Sequence, residues 1–392
     1  MKRDTILVHA GRDPMHFDGV VNTPVVRTST VLYPTLEAYE QSRSDKFNGL
    51  RYGRYGTATA FSLEKAVCDL EGGHRSMILP SGLAAIAAVL RAFLRSGDHL
   101  LMVDSVYGPA RSFCDEVLSQ HGIETTYYRP SVGAGIEALV RDNTRAIYCE
   151  SPGSLTFEVQ DIPAIAMVAQ RHEIPVICDN TWATPYFFRP FDHGANISIH
   201  AATKYIVGHS DAMLGIVVAD ERYWRHVRTS VAAHGLVGSP DDCFLALRGF
   251  RTLGVRLRQH QQGALAVAEW LQRHPLVCRV LSPMLPCDAG HELWRRDFTG
   301  ASGLLGVELQ PLQRPAILAL FNTLKLFGIG SSWGGYESLI LPANPIRSAP
   351  PREENRGTLL RLHIGLEDPE DLVADLQAGF RAAEAVPSSA AV

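Results

Sequence analysis

The chain lacks the features that mark membrane-spanning, disulfide-rich or zinc-binding proteins. Its longest uncharged apolar run, residues 83–90, ends at Arg91, far short of the roughly 20 residues that a transmembrane helix needs. Its seven cysteines are scattered, odd in number and never spaced as CxxC, and none of its fifteen histidines belongs to an HExxH motif. Neither a disulfide framework nor a zinc site follows from this pattern. We expect reduced, mostly buried thiols and no bound metal.

The chain also lacks an excess of either charge. Its formal net charge is −4, with 20% charged and 46% hydrophobic residues, a balance that argues against nucleic-acid binding. Near the N-terminus, Ile6, Leu7 and Val8 form an apolar run that is too short for a signal peptide. These observations predict a soluble cytoplasmic protein.

Two common enzyme signatures are absent or unconvincing. The sequence contains no GxSxG elbow, the usual mark of a Ser-His-Asp hydrolase of the α/β class. Residues 133–138 fit the dinucleotide-binding pattern GxGxxA, which should follow a buried strand. However, residues 124–130 are polar and end in a proline, and no acidic residue ends a strand at the required distance. We interpret the match as chance, which makes a nicotinamide dehydrogenase the weakest alternative.

What the sequence does contain is an alternation of short apolar strands with helices, which begins near residue 61. A length of 392 residues suggests two or three domains. The predicted strands are residues 76–79, 99–103, 146–149, 176–178 and 197–199, and the predicted helices are residues 82–94, 110–120 and 162–171. Such alternation predicts an α/β fold with a mostly parallel central sheet that is covered on both faces. Ligands of such sheets bind at the carboxyl ends of the strands.

The regions on either side of this alternation have different patterns. Residues 1–60 lack clear periodicity and predict an extended arm, and residues 61–245 form the predicted α/β domain. A helical region over residues 241–274 leads into a smaller α/β domain, residues 246–385. Its predicted strands are residues 303–309, 338–341 and 359–364, followed by a helix that begins at Asp368 and Pro369. We expect the tail, residues 386–392, to be disordered.

The most informative residue is Lys204, which lies just past an apolar strand among small residues, directly after Thr203. A lysine acts as a covalent catalyst when its amine loses its proton easily and meets a carbonyl group. Small neighbours leave room for a planar cofactor, and the Thr203 hydroxyl could donate to a phosphate. For an isolated lysine, a solvated loop position would be the better interpretation.

Other polar residues follow the predicted strands. Asp179 ends an apolar strand, where a carboxylate is costly unless it is paired. A protonated ring nitrogen such as that of pyridoxal phosphate would serve as a partner, and capping of the next element is the alternative. Gly82 and Leu83 open a helix whose backbone N–H groups could bind an anion, although an ordinary strand–helix turn looks the same. Tyr107 could stack on a planar cofactor or could simply be packing.

The last predicted strand carries a candidate for carboxylate binding. Alternation along residues 359–364 places Arg361 and His363 on one face and aliphatic side chains on the other. A planar guanidinium suits the bidentate capture of a carboxylate. An exposed arginine on an edge strand is the alternative.

Together these residues resemble the Cys/Met-metabolism family of pyridoxal-phosphate enzymes over nearly the whole chain. The matching motifs are residues 8–11, 52–54, 81–82, 151–154, 179–182, 198–205 and 361–367. The resemblance implies the aspartate-aminotransferase-like fold of these enzymes. It also implies an N-terminal arm that contacts a neighbouring subunit, and a homotetramer built as a dimer of dimers.

The resemblance further implies a role for each site residue. Lys204 would hold pyridoxal 5'-phosphate covalently and shuttle protons, Asp179 would pair with the pyridine nitrogen, and Tyr107 would stack on the ring and belong to the catalytic residues. The phosphate would be bound by Gly82, Leu83 and Thr203, and by Tyr52 and Arg54 from the neighbouring subunit. The substrate's α-carboxylate would be bound by Arg361, Ser332 and the backbone of Trp333.

Two positions depart from the usual pattern of the family. Many relatives carry serine where this chain has Ala201, so one phosphate donor is missing, and many carry asparagine where this chain has Ser154. The second departure is shared with members that carry out β-elimination, and residues 332–338, with Trp333, also resemble that group.

The implied reaction is therefore α,β-elimination from an L-amino acid with a β-thioether, cleaving L-cystathionine to homocysteine, pyruvate and ammonia within methionine synthesis. The alternatives are γ-elimination or γ-replacement, cysteine or cystine desulfhydration and, more distantly, a non-catalytic cofactor-binding protein.

Overall fold

A computed structural model describes residues 1–349 and 357–387. The predicted disordered tail lies mostly outside these described residues. The chain forms two sheets, one of seven strands and one of four. Helices pack on both, so that most of the aliphatic residues of the strands are buried.

The seven-stranded sheet is mostly parallel, as predicted. Its strands are β1 (Arg75–Leu79), β2 (His99–Val103), β3 (Glu124–Tyr128), β4 (Thr144–Glu150), β5 (Val176–Asp179), β6 (Ile197–Ala201) and β7 (Gly215–Ala219). Their order across the sheet is β1-β7-β6-β5-β4-β2-β3. Only β7 runs against its neighbours, β1 and β6. The carboxyl ends of β2, β4, β5 and β6 therefore meet at one edge.

The smaller sheet is entirely antiparallel. Its strands are β8 (Val277–Leu281), β9 (Leu304–Leu309), β10 (Leu339–Pro342) and β11 (Thr358–His363), in the order β10-β11-β9-β8. The three strands predicted for this region are β9, β10 and β11 with ends shifted by one residue, and β8 was not predicted.

Twelve α-helices occur among the described residues. They are α1 (Arg3–His9), α2 (Leu36–Ser42), α3 (Ala58–Glu71), α4 (Gly82–Phe93), α5 (Gly108–Ser112), α6 (Ile162–Arg171), α7 (Thr184–Phe187), α8 (Trp224–Ala233), α9 (Pro240–Leu271), α10 (His291–Asp297), α11 (Arg314–Thr323) and α12 (Pro369–Glu384). None of the helices in residues 1–349 and 357–387 is both long and apolar enough to cross a bilayer.

Local chemistry explains where the site-forming helices begin. The Ser81 hydroxyl caps α4 by accepting a hydrogen bond from the Ala84 amide at 3.1 Å. Asp368 caps α12 by accepting from the Glu370 amide at 2.9 Å, with Pro369 as the first helical residue. Such side chains satisfy N–H groups that the first helical turn leaves free.

The region around the GxGxxA match lies at the rim of the large sheet. Strand β3 is formed by the polar run before the match, and it pairs in parallel only with β2, at the sheet edge. The GxGxxA residues themselves lie in 3₁₀ turns, Pro130–Leu139, broken by a non-helical Gly133. They do not begin a regular α-helix, although a dinucleotide site would need one there.

The N-terminal region is sparsely packed. Helix α1 buries Leu7, whereas α2 buries no residue. Several apolar side chains of this region are exposed, namely Met15, Val20, Val21, Leu32 and Leu36.

All seven cysteines of the chain are free thiols, five of them wholly or partly buried.

Candidate active site

Lys204 lies in a turn that directly follows β6. Its amide donates to Ala201 O at 3.0 Å, and its carbonyl accepts from the Gly208 amide at 2.8 Å. The side chain projects toward the loop between α11 and β10, where Nζ donates to Ser332 Oγ at 2.6 Å. Nζ also lies 5.2 Å from the ring centroid of Trp333. The lysine amine is therefore held between the two sheets.

The environment of Lys204 raises the fraction of its amine that is neutral. Burial and, secondly, the positive charge of Arg361 lower the pKa of the amine to about 8, although the Asp179 carboxylate opposes the shift. Burial penalises the charged form of a lysine, and a nearby cation does the same. A neutral amine can attack a carbonyl group or accept a proton, which an ammonium group cannot do.

Asp179 ends β5 and is buried. Its Oδ1 accepts hydrogen bonds from the Thr181 amide at 3.0 Å and from the Thr181 hydroxyl at 2.5 Å, and its Oδ2 accepts from Tyr148 OH at 3.3 Å. The Thr181 hydroxyl in turn accepts from the Ala201 amide at 2.9 Å, which ties this carboxylate to the end of β6. Burial raises the pKa of Asp179, and the Thr181 hydrogen bonds act in the opposite direction. A cationic partner would stabilise the carboxylate.

Glu150 adds a second carboxylate that was not predicted from the sequence. It ends β4, directly beside Asp179 in the β4–β5 register, and its Oε2 accepts from the Tyr107 amide at 2.7 Å. Burial raises the pKa of Glu150 well above its ordinary value, and the charge of Asp179 raises it further. The rule that directs attention to strand ends would have found it, because Glu150 closes a predicted strand.

The start of α4 packs closely against the end of β6 and leaves backbone N–H groups free. With Ser81 capping Ala84, the N–H groups of Gly82 and Leu83 have no partner within the helix. A Cβ added at Gly82 would lie 2.6 Å from the Ala201 Cβ, so only glycine allows this approach of helix to strand. Thr203 Oγ1 accepts from the Leu214 amide at 3.0 Å. These groups can bind an anion.

Arg361 and Ser332 meet on the other side of Lys204. Arg361 Nη2 donates to Ser332 O at 2.9 Å, while its buried Nε has no hydrogen-bond partner among the described residues. Ser332 has a left-handed backbone, with φ of 81°. The guanidinium can therefore receive a carboxylate next to the lysine. Tyr107, 43% exposed, begins α5 at the same edge of the sheet as Asp179.

Tyr52 and Arg54 are not part of this group within one chain. They line a separate cavity of about 600 Å³ together with Gly235 and residues 237–240. Arg54 donates to Ala232 O at 2.7 Å and to Tyr55 OH at 3.0 Å. Within the described residues, no hydrogen bond links Tyr52 or Arg54 to Lys204, Asp179 or Arg361.

Comparisons with known proteins agree with this geometry. The sequence pattern of the Cys/Met metabolism PLP-dependent enzymes matches residues 4–381. The chain belongs to this family. It is 46% identical to cystathionine beta-lyase MetC of Escherichia coli (strain K12), over 97% of this chain and 98% of that protein. It is 38% identical to an L-alanine/L-glutamate racemase of Wolbachia pipientis wMel, over 97% of both chains.

The fold of the family is confirmed by a solved structure. The crystal structure of metB from Corynebacterium glutamicum superposes with a TM-score of 0.89, at 31% sequence identity, and covers 97% of this chain and 98% of that chain. The protein is therefore a PLP-dependent enzyme, as the resemblance implied.

The residues around Lys204 fit pyridoxal phosphate. The amine of Lys204, with its lowered pKa, suits an aldehyde, and the buried Asp179 carboxylate suits a protonated ring nitrogen. The N-terminus of α4, where the N–H groups of Gly82 and Leu83 have no partner within the helix, suits a phosphate bound by backbone N–H groups. The unpartnered Nε of Arg361 suits an amino-acid carboxylate.

Proposed function

We propose that the protein is a carbon–sulfur β-lyase that cleaves L-cystathionine to homocysteine, pyruvate and ammonia. The observation that carries the proposal is the placement of the Lys204 amine, 2.6 Å from Ser332 Oγ and against Trp333. The amine lies beside the Arg361 guanidinium, whose Nε has no hydrogen-bond partner among the described residues. This arrangement puts a proton acceptor next to a carboxylate-binding group. The relative from Escherichia coli, which carries the β-lyase name, supports the choice of reaction.

Each residue has one task in the proposed reaction. Arg361, with Ser332 and the Trp333 backbone, binds and orients the substrate's α-carboxylate. The neutral Nζ of Lys204, which also anchors the cofactor between turnovers, removes the α-proton and can pass it to the departing sulfur. Pyridoxal phosphate supplies the electron sink that makes this α-proton acidic.

The remaining residues hold the cofactor. Asp179 keeps the ring nitrogen protonated, and Tyr107 stacks on the ring. Gly82, Leu83 and Thr203 bind the phosphate at the N-terminus of α4.

We also propose that the working form is a homotetramer, a dimer of dimers, in which Tyr52 and Arg54 complete the phosphate site of the neighbouring subunit. The exposed apolar side chains of the N-terminal region and the separation of Arg54 from Lys204 within one chain support this assembly. Residues 1–60 would then be the subunit-contacting arm, before a cofactor domain and a smaller C-terminal domain. Seven free thiols support a cytoplasmic location.

The test is a product assay on purified protein with added pyridoxal phosphate and L-cystathionine. Release of pyruvate with homocysteine, and an absorption band near the visible edge that borohydride bleaches, would support the proposal. Release of α-ketobutyrate with cysteine would instead establish a γ-lyase.

The same assay with cystine, cysteine and L-alanine tests for desulfhydration and racemisation. Faster turnover of cystine or cysteine would identify a desulfhydrase, and interconversion of alanine enantiomers without pyruvate would identify a racemase. The control is Lys204→Ala, which should bind the cofactor only noncovalently and lose elimination. Turnover at the native rate in this variant would contradict the role of Lys204.

A further inference from the structure

The loop that carries Ser332 and Trp333 is held by alternate side chains of β11. Arg361 Nη2 donates to Ser332 O at 2.9 Å. Two residues further along the same face of the strand, His363 Nε2 accepts from the Gly334 amide at 3.0 Å and lies 3.1 Å from Gly335 O. The loop is thus fastened at two successive points, before and after Trp333.

The His363 contact matters because Gly334 lies directly on the lysine. Gly334 has φ of 89°, and a Cβ there would lie 2.9 Å from the backbone carbonyl carbon of Lys204 and 3.0 Å from its Cα. Ser332, which has no such glycine freedom, also adopts a left-handed conformation. A non-glycine residue keeps that conformation only when its surroundings enforce it. Arg361 bonds Ser332 itself, and His363 bonds Gly334 two residues later.

His363 is suited to this task because its ring stays neutral. Burial, followed by the proximity of His260, lowers the pKa of His363 to about 3. A neutral ring with its proton on Nδ1 leaves the Nε2 lone pair free to accept the Gly334 N–H, and the buried Nδ1 then has no hydrogen-bond partner among the described residues. The ring is fully buried, and its centroid is 5.2 Å from that of His260.

We propose that His363 is a positioning residue for substrate binding. By fixing Gly334 against the backbone of Lys204, it holds Ser332 and the Trp333 backbone where they meet the substrate's α-carboxylate beside Arg361. His363 is fully buried and bonds the loop, not Lys204 or Asp179, so its loss should weaken substrate binding more than it slows the chemical step. The inference rests on the proposed β-lyase function and names a further residue of the same site.

Three variants test the inference in the cofactor-loaded protein. His363→Leu removes the acceptor at similar volume, and His363→Gln restores both an acceptor and a donor. His260→Leu is the matched control, because His260 is an equally buried neighbouring histidine that bonds Ile364 O at 2.8 Å and not the loop. We expect His363→Leu to raise KM about tenfold, the effect of one lost hydrogen bond at a buried group, with kcat within about threefold. His363→Gln should have a KM near the native value. His260→Leu should also have a KM near the native value.

Amide hydrogen exchange over residues 332–336 gives a readout that needs no turnover. Exchange should quicken in His363→Leu and not in the other two variants. An unchanged KM and unchanged exchange in His363→Leu, in protein that cleaves cystathionine, would overturn the inference and leave the proposed function intact. Equal effects of both leucine variants would also overturn it, because they would show a general loss of packing. If the native protein cleaved no thioether, the proposed function would fail, and exchange would still decide whether His363 holds the loop.

Discussion

The clearest quantitative prediction concerns how the lysine amine reacts with its cofactor as the pH changes. With a pKa of about 8 instead of the ordinary 10.5, about 10% of the Lys204 amine is neutral at pH 7, roughly 300-fold more than for an unperturbed lysine. The rate at which the cofactor-free protein captures pyridoxal phosphate should therefore rise with pH up to about 8 and then level off. For a lysine with the ordinary pKa, the rate of cofactor capture would keep rising beyond pH 10.

The assay is a rapid-mixing absorbance measurement of cofactor capture between pH 6 and pH 10. N-acetyl-lysine amide is the control, because its amine is fully solvated and its rate should rise throughout the range. A protein whose rate rose in parallel with the control up to pH 10 would refute the reasoning. It would show that Lys204 is not desolvated as the structure indicates.

The same measurement separates the two causes of the lowered pKa. Arg361→Gln removes the nearby positive charge but leaves the burial of Lys204 in place. Because that charge disfavours the ammonium form, the variant's plateau should move to higher pH without reaching the behaviour of the control amine.

Three further substitutions test the cofactor site. Gly82→Ala should strongly weaken cofactor binding, measured by equilibrium dialysis, because its methyl group would lie 2.6 Å from the Ala201 Cβ; native affinity would contradict the close approach of α4 to β6. Ala201→Ser should instead strengthen cofactor binding, because it adds a hydroxyl beside the N-terminus of α4. One new hydrogen bond corresponds to roughly a fivefold gain in affinity. Asp179→Asn keeps the acceptor for Thr181 but cannot carry the charge, so cofactor should still bind while elimination falls about a hundredfold or more; a kcat near the native value would argue against the pairing with the ring nitrogen.

Much of the fold could be predicted because its strands and helices are strongly patterned. The helix predicted over residues 162–171 is observed as Ile162–Arg171, between an Asp161 cap and the strand that follows. The polarity of strand β3 argues against a central strand, and β3 lies at the sheet edge, where Glu124 is exposed and the strand is paired on one side only. Strand β7 was not predicted, and an apolar run such as Gly215–Ala219 gives no sign of its direction, so its reversal could not be predicted either.

The site residues likewise differ in how far the sequence predicts them. Asp179 and Tyr107 could be found from the sequence because parallel strands bring their carboxyl ends together. The meeting of Lys204 with Ser332, 128 positions later, depends on how the two sheets pack, which no local pattern encodes. For that contact the resemblance to the family supplied the residues. Glu150 could have been found at its strand end, but its hydrogen bond to the Tyr107 amide could not be predicted, because a backbone group leaves no trace in the sequence.

Helix α9 has a consequence for how the chain unfolds. Its 32 residues extend about 48 Å, and its glycines allow close approach on both sides of the molecule. Gly249 lies against the backbone of Val207, just after Lys204, and Gly263 lies against Ile364, just after β11. Because one continuous helix packs against residues that follow strands of both sheets, and the buried side chains form a single hydrophobic cluster, neither sheet can unfold without exposing apolar surface of the other part. Calorimetry should therefore record a single cooperative transition, and a chain cut near residue 245 should yield two fragments that do not fold alone.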